Sequence, residues 1–149
     1  MKQKLSFIEQ LFHLPLFLLV FGLASIMMLI PAGYAGVVRE LVTGRAFLYS
    51  GLLGIIIFVL IAISHHGRMP GHGALGPLMS LFSTFVFLPL VLAIPFHEAL
   101  QTTSFFNSYI EMVSSITTTG ATLFDDPERL NRPLHLWRAL VGWLGGLIM

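Results

Sequence analysis

The run Thr117-Thr118-Thr119-Gly120 combines three small hydroxyl residues with a glycine and could bind a cation. A cation gives up its hydration water only where a ring of oxygens replaces it, and backbone carbonyls of a short extended segment can supply that ring. Glycine relaxes the φ and ψ limits that would otherwise turn a carbonyl away. The run therefore suits ion coordination. A threonine-rich turn after an interfacial helix is the alternative interpretation of the same residues.

The segment before this run predicts a half-length helix. Apolar residues recur at spacings of three and four between Phe105 and Ile116, which is typical of an amphipathic helix. About twelve residues at 1.5 Å each reach only about 18 Å, and Glu111 lies among them. Such a helix is allowed at membrane depth only when it is buried in protein or lines an aqueous cavity. Its C-terminal end, with a charge of roughly −0.5, would point toward the cation.

The elements that must position these residues are membrane helices. Hydrophobic residues make up 56% of the 149, charged residues only 10%, and the net charge is +1. Soluble domains carry about 25% charged residues, so we expect an integral membrane protein, and no basic surface predicts nucleic-acid binding. Long uncharged runs predict spans near 12–32, 46–64 and 74–96. Pro89 and Pro95 predict a kink or an early stop in the third.

A last apolar segment begins near Pro133 and still continues at Met149. It is shorter than the roughly 20 residues that a crossing needs, so we expect a fragment of a longer protein. The absence of cysteine excludes a disulfide framework and a thiolate metal site. The expected order is therefore span, span, span, half-helix, threonine loop and incomplete span.

Several segments together carry a family resemblance. Ser115–Thr122, Leu136-Trp137-Arg138 and Gly142-Trp143-Leu144-Gly145-Gly146 resemble the Trk/Ktr potassium-uptake family, most closely its TrkH type. Gly142 departs from the glutamine that many relatives have, and Ile148 replaces a small residue. The resemblance implies a potassium-channel-like pore built from four span–pore-helix–span repeats. The expected fold is thus all-α and integral to the membrane: an N-terminal two-helix transmembrane hairpin (1–68) plus a first pore repeat (69–149), truncated in its last helix.

Within that repeat the resemblance implies a span at 74–96, a pore helix at 104–116, a filter loop at 117–122 and a second span from about 133. Thr118 and Thr119 would offer potassium-coordinating carbonyls, and Thr117 and Gly120 would complete the filter, which we expect to be extended. Potassium would be the transported ion, with no covalent cofactor. The implied partners are the lipid bilayer, the remainder of the pore, a cytosolic nucleotide-binding regulatory subunit and a second copy in a homodimer. The implied location is the bacterial inner membrane.

Glu111 and Arg138 are expected to support the filter. A buried carboxylate needs compensation, and three kinds are open: Arg138, backbone N–H groups of the filter loop, or a water-filled vestibule. A non-conducting membrane scaffold remains the alternative function. A membrane enzyme is less favoured, because the sequence offers no convergent nucleophile, base or metal constellation.

Other motifs have simpler interpretations. The residues 71–76 fit G-x-G-x-x-G but open a membrane span rather than following a strand, so a flexible loop is favoured. His65, His66 and His72 are interpreted as interfacial loop residues rather than metal ligands. Asp125, Asp126 and Glu128 are interpreted as a solvated loop that caps the next helix. The Gly142-x-x-x-Gly146 spacing predicts close helix packing within the chain.

Overall fold

The computed structural model describes residues 15–64, 75–124, 126 and 129–149, and this part of the chain is all-α. Its helices are α1 (Leu16–Met27), α2 (Leu29–Val37), α3 (Leu41–Ser64), α4 (Leu75–Leu100), α5 (Phe105–Ile116) and α6 (Arg132–Ile148). Within these described residues, three stretches are long and apolar enough to cross a membrane: Leu16–Val37, Leu41–Ser64 and Leu78–Leu100. The expectation of an all-α membrane protein is confirmed.

The first span consists of two helices in line. Met28 is a turn between α1 and α2, yet its N–H still bonds to the Ala24 carbonyl. Pro31 lies one turn later and has no N–H for the carbonyl of Met27, which accounts for an interruption here. The described span ends at Val37, five residues beyond the predicted end at 32. Residues 12–14 lie outside the described part of the chain.

The second and third spans also differ from prediction at their ends. Helix α3 begins at Leu41 rather than 46, and α4 ends at Leu100 rather than 96. Pro89 and Pro95 lie inside α4, which continues through both, so the early stop is wrong. A proline costs one helical hydrogen bond but does not end a helix that packing supports on several sides.

The buried core lies where α1, α3, α4, α5 and α6 meet. Trp137 of α6 is its largest fully buried side chain. The indole ring lies edge-on to Phe47 of α3 at a centroid distance of 5.3 Å. The outer side of α3 is largely uncovered, because only 22% of an apolar 18-residue stretch of this helix is buried within the protein. Its exposed leucine and isoleucine side chains are therefore suited to contact lipid.

Candidate functional site

Helix α5 is set in place from its first residue. Ser104 is the N-cap, and its hydroxyl accepts a hydrogen bond from the Asn107 N–H at 3.2 Å. The helix then runs for 12 residues from Phe105 to Ile116, as its apolar spacing predicted. It packs chiefly against α4 and α6. Because it is too short to span, its C-terminal end stops inside the helical assembly, beside the loop that begins at Thr117.

The C-terminal end of α5 closes in a Schellman motif. The Thr119 N–H bonds to the Ser114 carbonyl at 3.0 Å, and the Thr118 N–H bonds to the Ser115 carbonyl at 3.1 Å. Thr118 occupies the left-handed region, with φ of 54°. Glycine is usual at this position, and a β-branched residue there is strained. The loop therefore begins with a conformation that its own residue type disfavours.

The expectation that 117–120 is extended throughout is wrong. Thr117 has φ −81° and ψ 3°, Thr118 is left-handed, and Gly120 also has a positive φ, of 75°. The physical reason is that the last carbonyl groups of a helix lack helical donors, and turning back over the helix end brings the Thr118 and Thr119 N–H groups to them. The Thr117 hydroxyl adds a second donor to the Val113 carbonyl, at 2.7 Å, which also accepts the Thr117 N–H.

The loop presents a short polar surface. Thr118, Thr119 and Gly120 are exposed, whereas Thr117 is half-buried. Beside the loop lies an open cavity of about 380 Å³, whose lining includes Thr118, Gly120 and Arg138. The four predicted filter residues are therefore together at the carbonyl end of α5 and border open space. Potassium coordination by Thr118 and Thr119 stays a prediction.

The residues 121–124 form the return limb of the loop, and hydrogen bonds hold this limb against α5. The Ser114 hydroxyl donates to the Ala121 carbonyl, and the Leu123 N–H donates to Glu111 Oε2 at 3.1 Å. Phe124 then enters the core, where its ring lies 6.0 Å from that of Phe96. The limb thus leaves the helix end at Thr117 and comes back along the same helix.

Glu111 has two of the three kinds of compensation that the sequence left open. It is fully buried, and Arg138 Nη2 lies 2.7 Å from its Oε1. Its Oε2 accepts the N–H of Leu123, one residue beyond the predicted loop 117–122. The contact with Nη2 is an ion pair without hydrogen-bond geometry, and Arg138 Nε has no hydrogen-bond partner within the described residues. The contact between Glu111 and Arg138, one of the three alternatives, is present.

Helix α6 approaches the end of α5 through glycine. A methyl group at Gly145 would overlap the Ile116 carbonyl, and one at Gly142 would lie 3.6 Å from the Ser115 carbonyl. Nothing lies within 4 Å of such a group at Gly146. The close packing predicted from Gly142-x-x-x-Gly146 therefore exists, but its second member is Gly145, because residues three apart also share a helix face.

Two side-chain donors reach α4 near its prolines. The Tyr109 hydroxyl bonds to the Val86 carbonyl at 3.2 Å, and Trp137 Nε1–H bonds to the Leu92 carbonyl at 3.3 Å. Each acceptor lies three residues before a proline, one residue after the carbonyl that the proline leaves without a helical donor. Sequence reasoning missed both contacts. The prolines give no direct signal for them, because the carbonyls that they leave unpaired are those of Phe85 and Val91.

Asn131 links the site to the N-terminal helices. Its Oδ1 caps α6 by accepting the Leu134 N–H at 3.2 Å, and its amide donates to Thr43 at 2.6 Å and Glu40 at 3.2 Å. The side chain that caps α6 is thus Asn131 rather than the acidic group at 125–128. Asp126 is exposed, while Asp125 and Glu128 lie outside the described residues. An Asn directly before Arg-Pro was the missed N-cap signal.

The remaining candidate motifs fall mostly on residues that the structure does not describe. His65, His66, His72 and most of the 71–76 glycine motif lie outside the described residues. Among the residues that are described, no group of three histidine, aspartate or glutamate side chains could hold a metal ion.

Comparison with known proteins gives one significant similarity. The chain is 45% identical over 65 residues to the Trk system potassium uptake protein TrkI of Halomonas elongata. The match covers 44% of this chain and 12% of the length of that protein. No family model and no solved structure matches the chain. The similarity supports a relationship to Trk proteins over part of the chain.

Proposed function

We propose that this chain forms the N-terminal hairpin and first pore repeat of a Trk-type potassium transporter in a bacterial inner membrane. In this proposal the segment 117–122 is one of four selectivity-filter loops. Carbonyls of Thr118 and Thr119 bind the dehydrated ion, and Thr117 and Gly120 shape the loop around it. The similarity to a potassium uptake protein supports the class of transported ion.

One observation carries the proposal: a half-length helix delivers its carbonyl end to an exposed loop that returns along the same helix. A helix end carries a partial negative charge of about one half, which favours a cation nearby. A simple interfacial turn has no need of a buried carboxylate and a hydroxyl bonded to its return limb. The exposed loop and open cavity suit contact with further repeats that complete an oxygen ring.

The proposal extends to partners. The pore is completed by the remainder of the transporter, and the assembly is a homodimer controlled by a cytosolic nucleotide-binding subunit. These partners follow from the family resemblance and from the partial match to a Trk protein. A pull-down from membranes with the complete transporter, followed by mass determination of the assembly, tests both partners directly.

The test of function is growth. The complete transporter that contains this chain is expressed in a bacterium lacking its own potassium uptake, and growth is measured at low external potassium. We expect rescue by the wild type. Gly120→Ala should weaken it, because an L-residue at φ of 75° is strained by about 1–2 kcal/mol.

Gly33→Ala is the matched control for this change. Gly33 is exposed within α2, has no positive φ and has nothing within 4 Å of an added methyl group. We expect its growth to equal that of the wild type. Absence of growth with the wild-type transporter favours a non-conducting scaffold, and unchanged uptake in Gly120→Ala at equal expression removes Gly120 from the filter.

A further inference from the structure

We infer that Glu111 is a positioning residue that sets the ion selectivity of the threonine loop, and that Arg138 holds Glu111 in place. The inference rests on the proposed function of the loop and adds a residue that does not itself touch the ion. Its basis is the way in which the two oxygens of one buried carboxylate are divided between a backbone N–H and a guanidinium.

The burial of Glu111 demands an explanation. Its side chain is fully buried in a helix whose other buried residues are apolar or carry only a hydroxyl. A buried carboxylate destabilises a protein unless it is paired and hydrogen-bonded. Replacing a buried ion pair by apolar residues is often neutral or stabilising, so stability alone does not account for this pair. A role in the conformation of a neighbouring segment does account for it.

The geometry identifies that segment. An arginine and a carboxylate that serve only each other favour a bidentate arrangement with two parallel N–H···O bonds. Here Oε2 is directed to the Leu123 N–H at 3.1 Å, and only Oε1 faces Arg138 Nη2, at 2.7 Å. Among the residues that the structure describes, Arg138 Nε has no hydrogen-bond partner. The pair therefore forgoes its best mutual geometry in favour of a bond to the loop.

The loop is fixed between two points on α5. Its outgoing limb begins at the helix end, and its return limb is held by the Ser114 hydroxyl at Ala121 and by Glu111 at Leu123. These two hydrogen bonds, at Ala121 and at Leu123, limit how far the loop carbonyls before them can move. Discrimination between potassium and sodium depends on the number, field strength and placement of coordinating oxygens. Removing either hydrogen bond should therefore change the preference of the loop for potassium over sodium.

Arg138 acts through Glu111. It lies on α6, and its side chain is 23% exposed, so its charge is only partly desolvated. Without the guanidinium, the carboxylate would remain buried with a single backbone donor. We expect it then to move toward the cavity beside the loop, which weakens the bond to Leu123. Removing both charges together leaves no buried carboxylate without its guanidinium partner.

The experiment uses the complete transporter in the potassium-uptake-deficient bacterium. Initial rates of potassium uptake give KM and Vmax, competition by sodium gives ion discrimination, and immunoblots give the amount in the membrane. The variants are Glu111→Gln, Glu111→Asp, Arg138→Gln, Ser114→Ala and the double variant Glu111→Gln/Arg138→Gln. Ser108→Ala is the matched control: Ser108 is fully buried in the same helix, and its hydroxyl bonds only within that helix.

We expect Glu111→Gln to raise the KM for potassium about tenfold and to weaken discrimination against sodium, as loss of a residue that orients ligands typically does. Glu111→Asp should behave alike, because a side chain one methylene shorter cannot reach Leu123 and Arg138 together. The double variant should be less impaired than the product of its two single effects. Ser114→Ala carries no charge change and should shift discrimination in the same direction, with a smaller effect.

Ser108→Ala should change only the amount of protein, and with it Vmax. The inference is overturned if Glu111→Gln and Ser114→Ala behave as Ser108→Ala does, with KM and sodium discrimination unchanged. It is also overturned if Glu111→Gln and Arg138→Gln have independent effects. A wild-type transporter that takes up no potassium overturns the proposed function itself, which separates that failure from the failure of the positioning role.

Discussion

The helices before and after residues 65–74 are held together by different kinds of contact. In the hairpin of α1, α2 and α3, a methyl group at Gly54 would meet the hydroxyl of Ser25, and that hydroxyl already bonds within its own helix at 2.8 Å. In the repeat of α4, α5 and α6, a methyl group at Gly145 would instead meet the backbone carbonyl of Ile116. At the tightest glycine contact of each described region, the hairpin thus places glycine against a side chain and the repeat places it against backbone. A methyl group at Gly51 of the hairpin would also lie near backbone, 3.1 Å from the Ser25 carbonyl oxygen.

The difference follows from what each region must hold. The hairpin places helices side by side, so side-chain packing is sufficient. In the proposed pore repeat, a helix end and a loop lie at membrane depth, where backbone polar groups need partners within the protein. Several of its polar contacts go to backbone, from Trp137 to Leu92, from Tyr109 to Val86 and between Glu111 and Leu123, and Glu111 also pairs with the Arg138 side chain. We expect steric changes to be absorbed in the hairpin and not in the repeat.

The largest expected effect is that of Gly145→Ala. Because the Ile116 carbonyl is backbone at a helix end, it cannot rotate away, and α6 must move from α5. We expect a loss of about 3 kcal/mol in the free energy of unfolding, at the upper end for overpacking. Denaturant titration of the purified protein in mixed micelles measures it. Gly146→Ala, next in sequence and unobstructed, is the control and should be neutral or slightly stabilising.

The corresponding change in the hairpin, Gly54→Ala, should cost less. The obstructing atoms belong mainly to the Ser25 side chain, which is small and can be exchanged. We expect a loss of about 1–2 kcal/mol in the same titration, and partial recovery in the double variant Ser25→Gly/Gly54→Ala. Equal losses for Gly54→Ala and Gly145→Ala would contradict the contrast between side-chain and backbone contacts.

The smallest effect concerns two helix ends with the same cap. Helix α2 ends in a Schellman motif at Arg39, with φ of 62°, as α5 does at Thr118. Threonine is β-branched and arginine is not, so the left-handed conformation strains Thr118 more. Thr118→Gly should therefore raise the free energy of unfolding by about 1 kcal/mol, and Arg39→Gly should raise it by less. Thermal unfolding of both variants decides the order, and a larger gain at Arg39 would refute the strain at Thr118.

The sequence by itself determined the elements. Long uncharged runs predicted three spans. The spacing of apolar residues in Phe105–Ile116 predicted the bounds of the half-helix, because residues on the buried face of a helix recur with the helical period. It also named Arg138 and backbone N–H groups among the possible partners of Glu111, since a buried carboxylate requires compensation. The role of the threonine loop in binding potassium stays a prediction.

Only the tertiary structure decided which groups meet. Sequence could not choose between Gly145 and Gly146 because both lie within one turn of Gly142, and the approach angle of α6 selects the face that contacts Ile116. It could not foresee that α4 continues past Pro95, because the contacts that support this helix come from distant parts of the chain, such as the bond from Trp137 to the Leu92 carbonyl, 45 residues away. It could not give Thr118 its left-handed conformation either. Threonine disfavours that conformation. The carbonyl groups that lack helical donors at the end of α5 impose it, together with the hydrogen bonds at Ala121 and Leu123.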